Sequence, residues 1–420
     1  MKKNTFLSSF YRKRKYYNVL EALSLTNLIL KLTGYQVIAL NHSKYDTESM
    51  FSFLGLFSFV IWSCLYFYCV YNSHVTDQTV VRLMFNSKLK QYGDIYEEFA
   101  TTFYFLYMMW KLGFDLFATP RFAKTIIAAD KMISDIGMLL DYNKDRWLTI
   151  ATVVIVIFTC MLRSISLWFV ISNINMPIPY EKLFQNIYSD NLALIVSCFY
   201  WYHLFLLRER YMMLNKVLID IKNKNSWEYM IFVRRKPVDM NKACQLEDKY
   251  VSEKIKSSAK ICSILYSASE IINELFGFAL YITLLFCMNY IIIYMFYFME
   301  ATAMGLFHNM QLYLDFLVYI FWQIMYSTVI LFINVYCAEY TVFVVKKMSF
   351  ITHELINSNL SPAITKEAML LSQQLLHQRL IFTASGFYTL DYENLYQKAM
   401  TIVTFMLMIL QFVSDSERRH

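Results

Sequence analysis

Proline and glycine are scarce in this 420-residue chain, at five and eight copies. All five prolines, Pro120, Pro177, Pro179, Pro237 and Pro362, fall outside the long apolar runs. Long helices therefore meet few breakers. Charge is scarce too. Asp, Glu, Lys and Arg make up 17% of the residues, below the share usual in soluble domains. Disorder is excluded on the same composition. The chain lacks the short alternating segments of a transmembrane barrel. It has no glycine-rich phosphate loop, nucleophile elbow or HExxH, and its seven histidines are scattered. Catalysis thus has no anchor, and no enzyme is expected. The eight cysteines show neither a zinc spacing nor a secreted framework. Six lie in apolar runs, and Cys244 and Cys262 lie in the longest hydrophilic stretch. No cofactor or metal is expected. The basic start, MKKNTFLSSFYRKRKYYN, has no short apolar core or small-residue cleavage site, so no removable signal peptide is expected.

What is present is apolar. Hydrophobic residues are 57% of the chain, aromatics 18% and methionines 24 in number. A spanning helix needs about 20 apolar residues. The runs predict spans at about 51–72, 99–118, 147–172, 187–207, 275–298, 313–338 and 390–413. Segment 17–40 carries Glu21 and Lys31 and reads as an interfacial amphipathic helix. With a cytoplasmic N-terminus, 30 of the 39 Lys and Arg fall on inner segments and 6 on outer ones. The positive-inside rule favours that orientation, so the net charge of +7 reflects topology and not nucleic acid. The expected fold is all-α: a polytopic membrane protein with seven transmembrane helices, cytoplasmic N-terminus and extracellular C-terminus. Residues 1–50 form the cytoplasmic N-terminus, 51–413 one integrated seven-helix domain and 414–420 an outer tail. Segments 208–274 and 338–388 alternate charged and apolar residues at helical spacing, which predicts helical extensions packed in the cytosol. The sequons Asn41–His42–Ser43 and Asn359–Leu360–Ser361 are then cytosolic and unmodified.

This topology opposes that of a metabotropic seven-helix receptor. A secondary transporter would show internal symmetry and paired broken helices, and neither is visible. The last span keeps a polar Gln411 in the run Thr404–Phe405–Met406–Leu407–Met408–Ile409–Leu410–Gln411–Phe412. An unpartnered amide in hydrocarbon costs several kcal/mol. Thr401, Thr404, Met408 and Gln411 share one helix face, with Ile402, Phe405, Ile409 and Val413 opposite. Two readings stand: one wet side facing a pore, or hydrogen bonds to neighbouring helices within the subunit.

These residues resemble the insect gustatory receptor family. Thr404, Phe405, five apolar residues, Gln411 and Phe412 are similar to its C-terminal signature, with Phe405 where the family has Tyr. Ser372 to Leu395, SQQLLHQRLIFTASGFYTLDYENL, resembles the stretch that precedes its last helix, including His377, Gly386, Phe387, Leu390 and Asp391. Arg208–Arg210–Tyr211 with Leu214–Asn215, and Asn273 with Phe276–Gly277, are further likenesses. The resemblance implies a ligand-gated, non-selective cation channel in the plasma membrane. It implies four subunits, alike or mixed with other gustatory receptors, around a pore lined by the last helix. It also implies a cytoplasmic anchor bundle and an outer ligand pocket in each subunit. Thr401, Thr404, Met408, Gln411 and Phe412 are then the pore and gate residues. Related odorant receptors share that architecture. The expected partners are the lipid bilayer, cations and a small tastant. A bitter or other non-sugar compound is the default, because a sugar pocket needs several convergent polar groups; sugar sensing is the alternative.

A pocket needs aromatic walls and a few polar anchors. Trp168, Asn191, Tyr294, Asp315, Tyr319 and Trp322 are the candidates, with Asp315 and Trp322 one face apart at i, i+7. The plainer reading of any one aromatic is packing or an interfacial belt. Lys111 and Asp115 read as a neutralising i, i+4 pair. Arg163 either lines the pocket or snorkels to the surface.

Overall fold

The computed structural model describes residues 19–22, 24–42, 47–76, 78, 88–115, 118–173, 179–232, 240–303, 308, 310–358 and 360–417. The basic cluster at Lys2, Lys3 and Arg12–Lys15, together with Pro177, Pro237, Asn359 and residues 418–420, lies outside them. Eleven helices and two small hairpins make up the described chain. In order they are α1 Val19–Ala22, α2 Ser24–Leu32, β1 Ile38–His42, β2 Thr47–Phe51, α3 Phe53–Val75, α4 Lys88–Gly113, α5 Ala118–Asp135 and α6 Tyr142–Asn173. Then come α7 Tyr180–Phe232, α8 Met240–Ala303, α9 Met310–Asn357, α10 Pro362–His377, β3 Thr383–Ala384, β4 Tyr388–Thr389 and α11 Tyr392–Glu417.

Five helices among the described residues are long and apolar enough to cross a membrane: α3, α6, α7, α8 and α9. Their apolar runs have no proline to break them, and α3 starts cleanly where the Ser52 hydroxyl accepts from the Gly55 amide at 3.4 Å. The sequence predicts two more spans, which coincide with α4 and α11. Both carry charge. In α4, Asp94 and Glu97 are buried against the bundle, which is how a membrane helix keeps carboxylates. Their polarity also explains why the apolar run, starting at 99, misses three turns of α4.

Helices α7, α8 and α9 have 53, 64 and 48 residues. At about 1.5 Å per residue, each exceeds the roughly 30 Å hydrocarbon core more than twofold. Their polar ends pack together with α10. Leu214, Leu218, Ile255, Leu265, Met348, Ile351, Leu355, Ile364 and Leu371 are fully or nearly buried there. On α9, Ala338, Thr341, Val344, Val345, Met348, Ile351, Thr352 and Leu355 repeat at helical spacing and form its inward stripe. Pro362 at the first turn of α10 suits a helix start.

The described chain is nearly all helical, and two small hairpins accompany the helices: β1–β2, paired from Ile38↔Phe51 to His42↔Thr47, and β3–β4. Within segment 17–40, the end of α2 is tied to the bundle. The Trp62 indole donates to the Leu32 carbonyl at 3.1 Å, and the Tyr188 hydroxyl to the Thr33 carbonyl at 3.4 Å. These bonds wedge α2 against the bundle and leave the following chain extended for pairing.

The β3–β4 hairpin seats the base of α11 on α8. Asn273 holds it from both sides: its Nδ2 donates to the Ile381 carbonyl at 2.8 Å, and its Oδ1 accepts from the Thr383 amide at 3.1 Å. Gly386 turns the chain at φ +76°, a conformation open to glycine. Tyr281 stacks on Phe387 at 4.7 Å. A Cβ on Gly277 would lie 3.0 Å from the Ser385 amide nitrogen and 3.3 Å from its Cα. Both are backbone atoms, so the hairpin must move. Gly277→Val is expected to cost about 1–3 kcal/mol by overpacking. It should raise hydrogen exchange across 381–391 while leaving α9 protected; unchanged exchange in the hairpin would refute the seating role.

Candidate functional site

Five helices, α4, α6, α7, α8 and α9, bring polar side chains to one buried cluster near the Tyr180 end of α7. From α7 come Gln185, Asn186, Ser189 and Asp190, which follow one another within two turns, and all four are buried. Arg163 enters from α6, 3% exposed. It pairs with the Asp190 carboxylate and donates to Gln323 of α9. Its guanidinium also lies 4.9 Å from the Tyr326 ring centre, a cation–π distance, and the Tyr326 hydroxyl donates to the Asp190 carbonyl. A lone buried charge is costly, so each partner here holds the other in place.

The network continues toward α4. Gln323 Nε2 donates to the Tyr294 hydroxyl at 3.4 Å, which donates to Glu97 Oε1 at 3.2 Å. Tyr319 lies 3.3 Å from Tyr294, oxygen to oxygen. Asn186 Nδ2 also donates to Glu97 Oε1, at 3.2 Å, and Gln185 Nε2 donates to Thr101 Oγ1 at 3.2 Å. The cluster is not closed on itself. Arg163 Nε and Nη1, Gln185 Oε1 and Asn186 Oδ1 are buried without a hydrogen-bond partner among the described residues. Such atoms are costly unless a water or ligand meets them.

Two of the six pocket candidates, Tyr294 and Tyr319, lie in this cluster. The other four lie elsewhere. Asp315 accepts from Asn173 Nδ2 at 3.2 Å. Trp322 is partly buried on α9, two turns from Asp315, and no bond joins them. Trp168 is 55% exposed on α6, and Asn191 donates to Cys160 Sγ at 3.0 Å. Arg163 faces inward and does not snorkel. Asp115 does not neutralise Lys111. Its carboxylate instead accepts from the Thr119 amide at 2.9 Å and hydroxyl at 2.7 Å, and so caps α5. Glu97 and Thr101 of α4, and Gln185 and Asn186 of α7, join the cluster with no motif to mark them. The polar residues opening α7 were the signal for the latter pair, and a hydropathy reading trims them away.

A second buried cluster ties α5, α6 and α7 farther along. Arg210, 1% exposed, grips Asp130 with Nε at 2.9 Å and Nη2 at 3.0 Å. Nη2 also reaches Asp145 at 3.4 Å. This two-pronged geometry suits guanidinium and carboxylate.

Helix α11 lies on the outside of the protomer. Thr401, Thr404, Met408 and Gln411 are all exposed. The threonine hydroxyls donate to Gln397 and Met400 carbonyls on their own helix, each at 2.9 Å. The Phe412 side chain lies outside the described residues. Lys398 sits 3.1 Å over the Tyr388 ring, a further tie between α11 and the hairpin.

The long apolar helices, the packed polar extensions and the buried polar cluster define a polytopic helical membrane protein. Over residues 5–415 the sequence matches the family described as 7tm chemosensory receptor. The chain belongs to that family. It is 22% identical over 248 residues to gustatory receptor 28b of Drosophila melanogaster, a match covering 57% of this chain and 52% of that protein. The alignment thus spans about half of that relative's length. The structure is similar to that of the insect olfactory receptor OR5 of Machilis hrabei, solved in complex with eugenol. The TM-score is 0.53 at 10% identity, covering 94% of this chain and 98% of that one. That likeness speaks for the fold.

Proposed function

We propose that this chain is a gustatory receptor subunit of a non-selective cation channel in the plasma membrane, opened by a small tastant. Four copies, or this chain with other gustatory receptors, surround a pore lined by α11. The observation that carries the reading is the exposure of the α11 face bearing Thr401, Thr404, Met408 and Gln411. Apart from the two threonine hydroxyls, which bond to their own helix, these side chains have no packing partner among the described residues, so lipid, water or neighbouring subunits meet them. A face with Gln411 on it suits water better than lipid. The C-terminal signature supports a gustatory over an odorant assignment.

In this reading the polar cluster around Arg163, Asp190, Tyr294 and Tyr319 is the outer ligand site. Most of its groups already satisfy one another, which favours a largely apolar, non-sugar tastant that borrows a few bonds. The unpartnered Arg163 Nε and Nη1, Gln185 Oε1 and Asn186 Oδ1 favour the second reading, a polyhydroxyl ligand. A panel of bitter compounds and sugars, with current as readout, separates the two.

Four Gln411 amides would offer neutral dipoles to ions, and a ring of apolar side chains beside them, Phe412 among them, would close the pore by dewetting. Gln411→Ala is expected to change single-channel conductance or relative cation permeability at unchanged surface level. Identical conductance and permeability in the variant would remove Gln411 from the pore.

A further inference from the structure

A cavity of about 180 Å3 lies between α2, α5, α6 and α7, away from both the polar cluster and α11. Its walls are almost wholly apolar: Leu30, Phe122, Ile126, Val153, Ile195 and Leu206 are among them. Ile157, also part of the lining, is 49% exposed, so the cavity reaches the flank of α6. Asn27, Thr33, Thr119, Thr149, Thr152 and His203 also border the cavity, and two further lining residues each carry an unsatisfied polar atom. The Tyr202 hydroxyl and Gln36 Oε1 belong to lining residues, and both are buried with no partner among the described residues. Tyr202 itself is only 7% exposed. One is a donor in need of an acceptor. The other is an acceptor in need of a donor.

We propose that this cavity is a second ligand site, for a small lipophilic alcohol or phenol that enters from the bilayer. Size sets the first limit. A dry cavity of about 150 Å3 takes a benzene-sized guest, so this one takes a molecule on the order of ten heavy atoms. Chemistry sets the second. A hydroxyl accepts from Tyr202 and donates to Gln36, so it can answer either orphan. A carbonyl compound answers Tyr202 alone, an alkane neither, and a cation would enter apolar walls without a counter-charge. The site touches α5, α6 and α7, the three helices that Arg210 ties together about one turn beyond Leu206. Its occupant therefore bears on the packing of that junction.

The test uses the full chain in phosphatidylcholine nanodiscs, photolabelled with the diazirine alcohol 3-azioctanol and read by peptide mass spectrometry. Label is expected on the α7 peptide holding Phe199–His203 and on the α5 peptide holding Phe122–Ile127. 1-Octanol should displace it roughly fivefold better than octane, the size of one neutral hydrogen bond. Tyr202→Phe should erase that difference. Ala123→Trp, or Val153→Phe if the first fails to fold, should abolish label at these peptides with an unchanged elution profile. Equal displacement by octane, label that survives a folded cavity-filling variant, or label spread evenly over lipid-facing helices would each overturn the site. So would no label at all, which would leave the two orphans to water.

Discussion

Replacing Arg210 with alanine is expected to lower stability by about 3–5 kcal/mol, the usual cost of breaking a buried ion pair from one side. Arg210 grips Asp130 with two bonds and reaches Asp145 with a third contact. Its loss leaves two buried carboxylates facing each other without a cation. Asp130→Asn should cost less, because Arg210 keeps Asp145. Asp145→Asn should cost least, since it removes only the 3.4 Å contact. Thermal inactivation of the detergent-solubilised protein, followed by size-exclusion elution, gives the ranking. An Arg210→Ala protein as stable as the parent would mean that this cluster does not hold α5, α6 and α7 together.

The second large effect is expected at Arg163 and Asp190. Either single alanine substitution strands a charge among membrane helices, again at about 3–5 kcal/mol. The double replacement Arg163→Met with Asp190→Leu should recover most of that loss, because neither charge remains to be paired. A double-mutant cycle on thermal stability measures the coupling directly. Ligand response should not recover with it. The same double variant keeps the fold but deletes the polar heart of the proposed outer site. Full tastant-evoked current in a stable double variant would move the ligand elsewhere.

Both clusters show how far the sequence could be read. The apolar runs announce α3, α6, α7, α8 and α9 because hydrocarbon selects for uninterrupted nonpolar length. They understate α4 and the beginning of α7, where polar residues face protein and not lipid. Arg163 illustrates the limit. Its presence in a span was visible, but its direction depends on Asp190 and Gln323, which arrive from other helices 27 and 160 positions away. Asp315 and Trp322 share a face of one helix, but that spacing could not show that Asp315 also accepts from Asn173 of another helix. The motif around Gly277 and Gly386 was legible only as a likeness. Its physical content, a hairpin backed against α8 with no room for a Cβ, emerges once the two segments meet. The β1–β2 hairpin had no readable signal, since its strands are short and no tight-turn dipeptide separates them.

Helix α8 carries Asn273, Gly277 and Tyr281 at the hairpin seat and Tyr290, Tyr294 and Tyr297 toward the polar cluster, on one unbroken element. The two stations are on the order of 25 Å apart. Inserting or deleting a single residue between them would rotate one against the other by about 100° and slide it by about 1.5 Å. Residue count in this stretch is therefore constrained in addition to the identity of its buried side chains, Thr283, Leu284 and Cys287 among them. Any lengthening there must come in whole turns to keep both stations in phase.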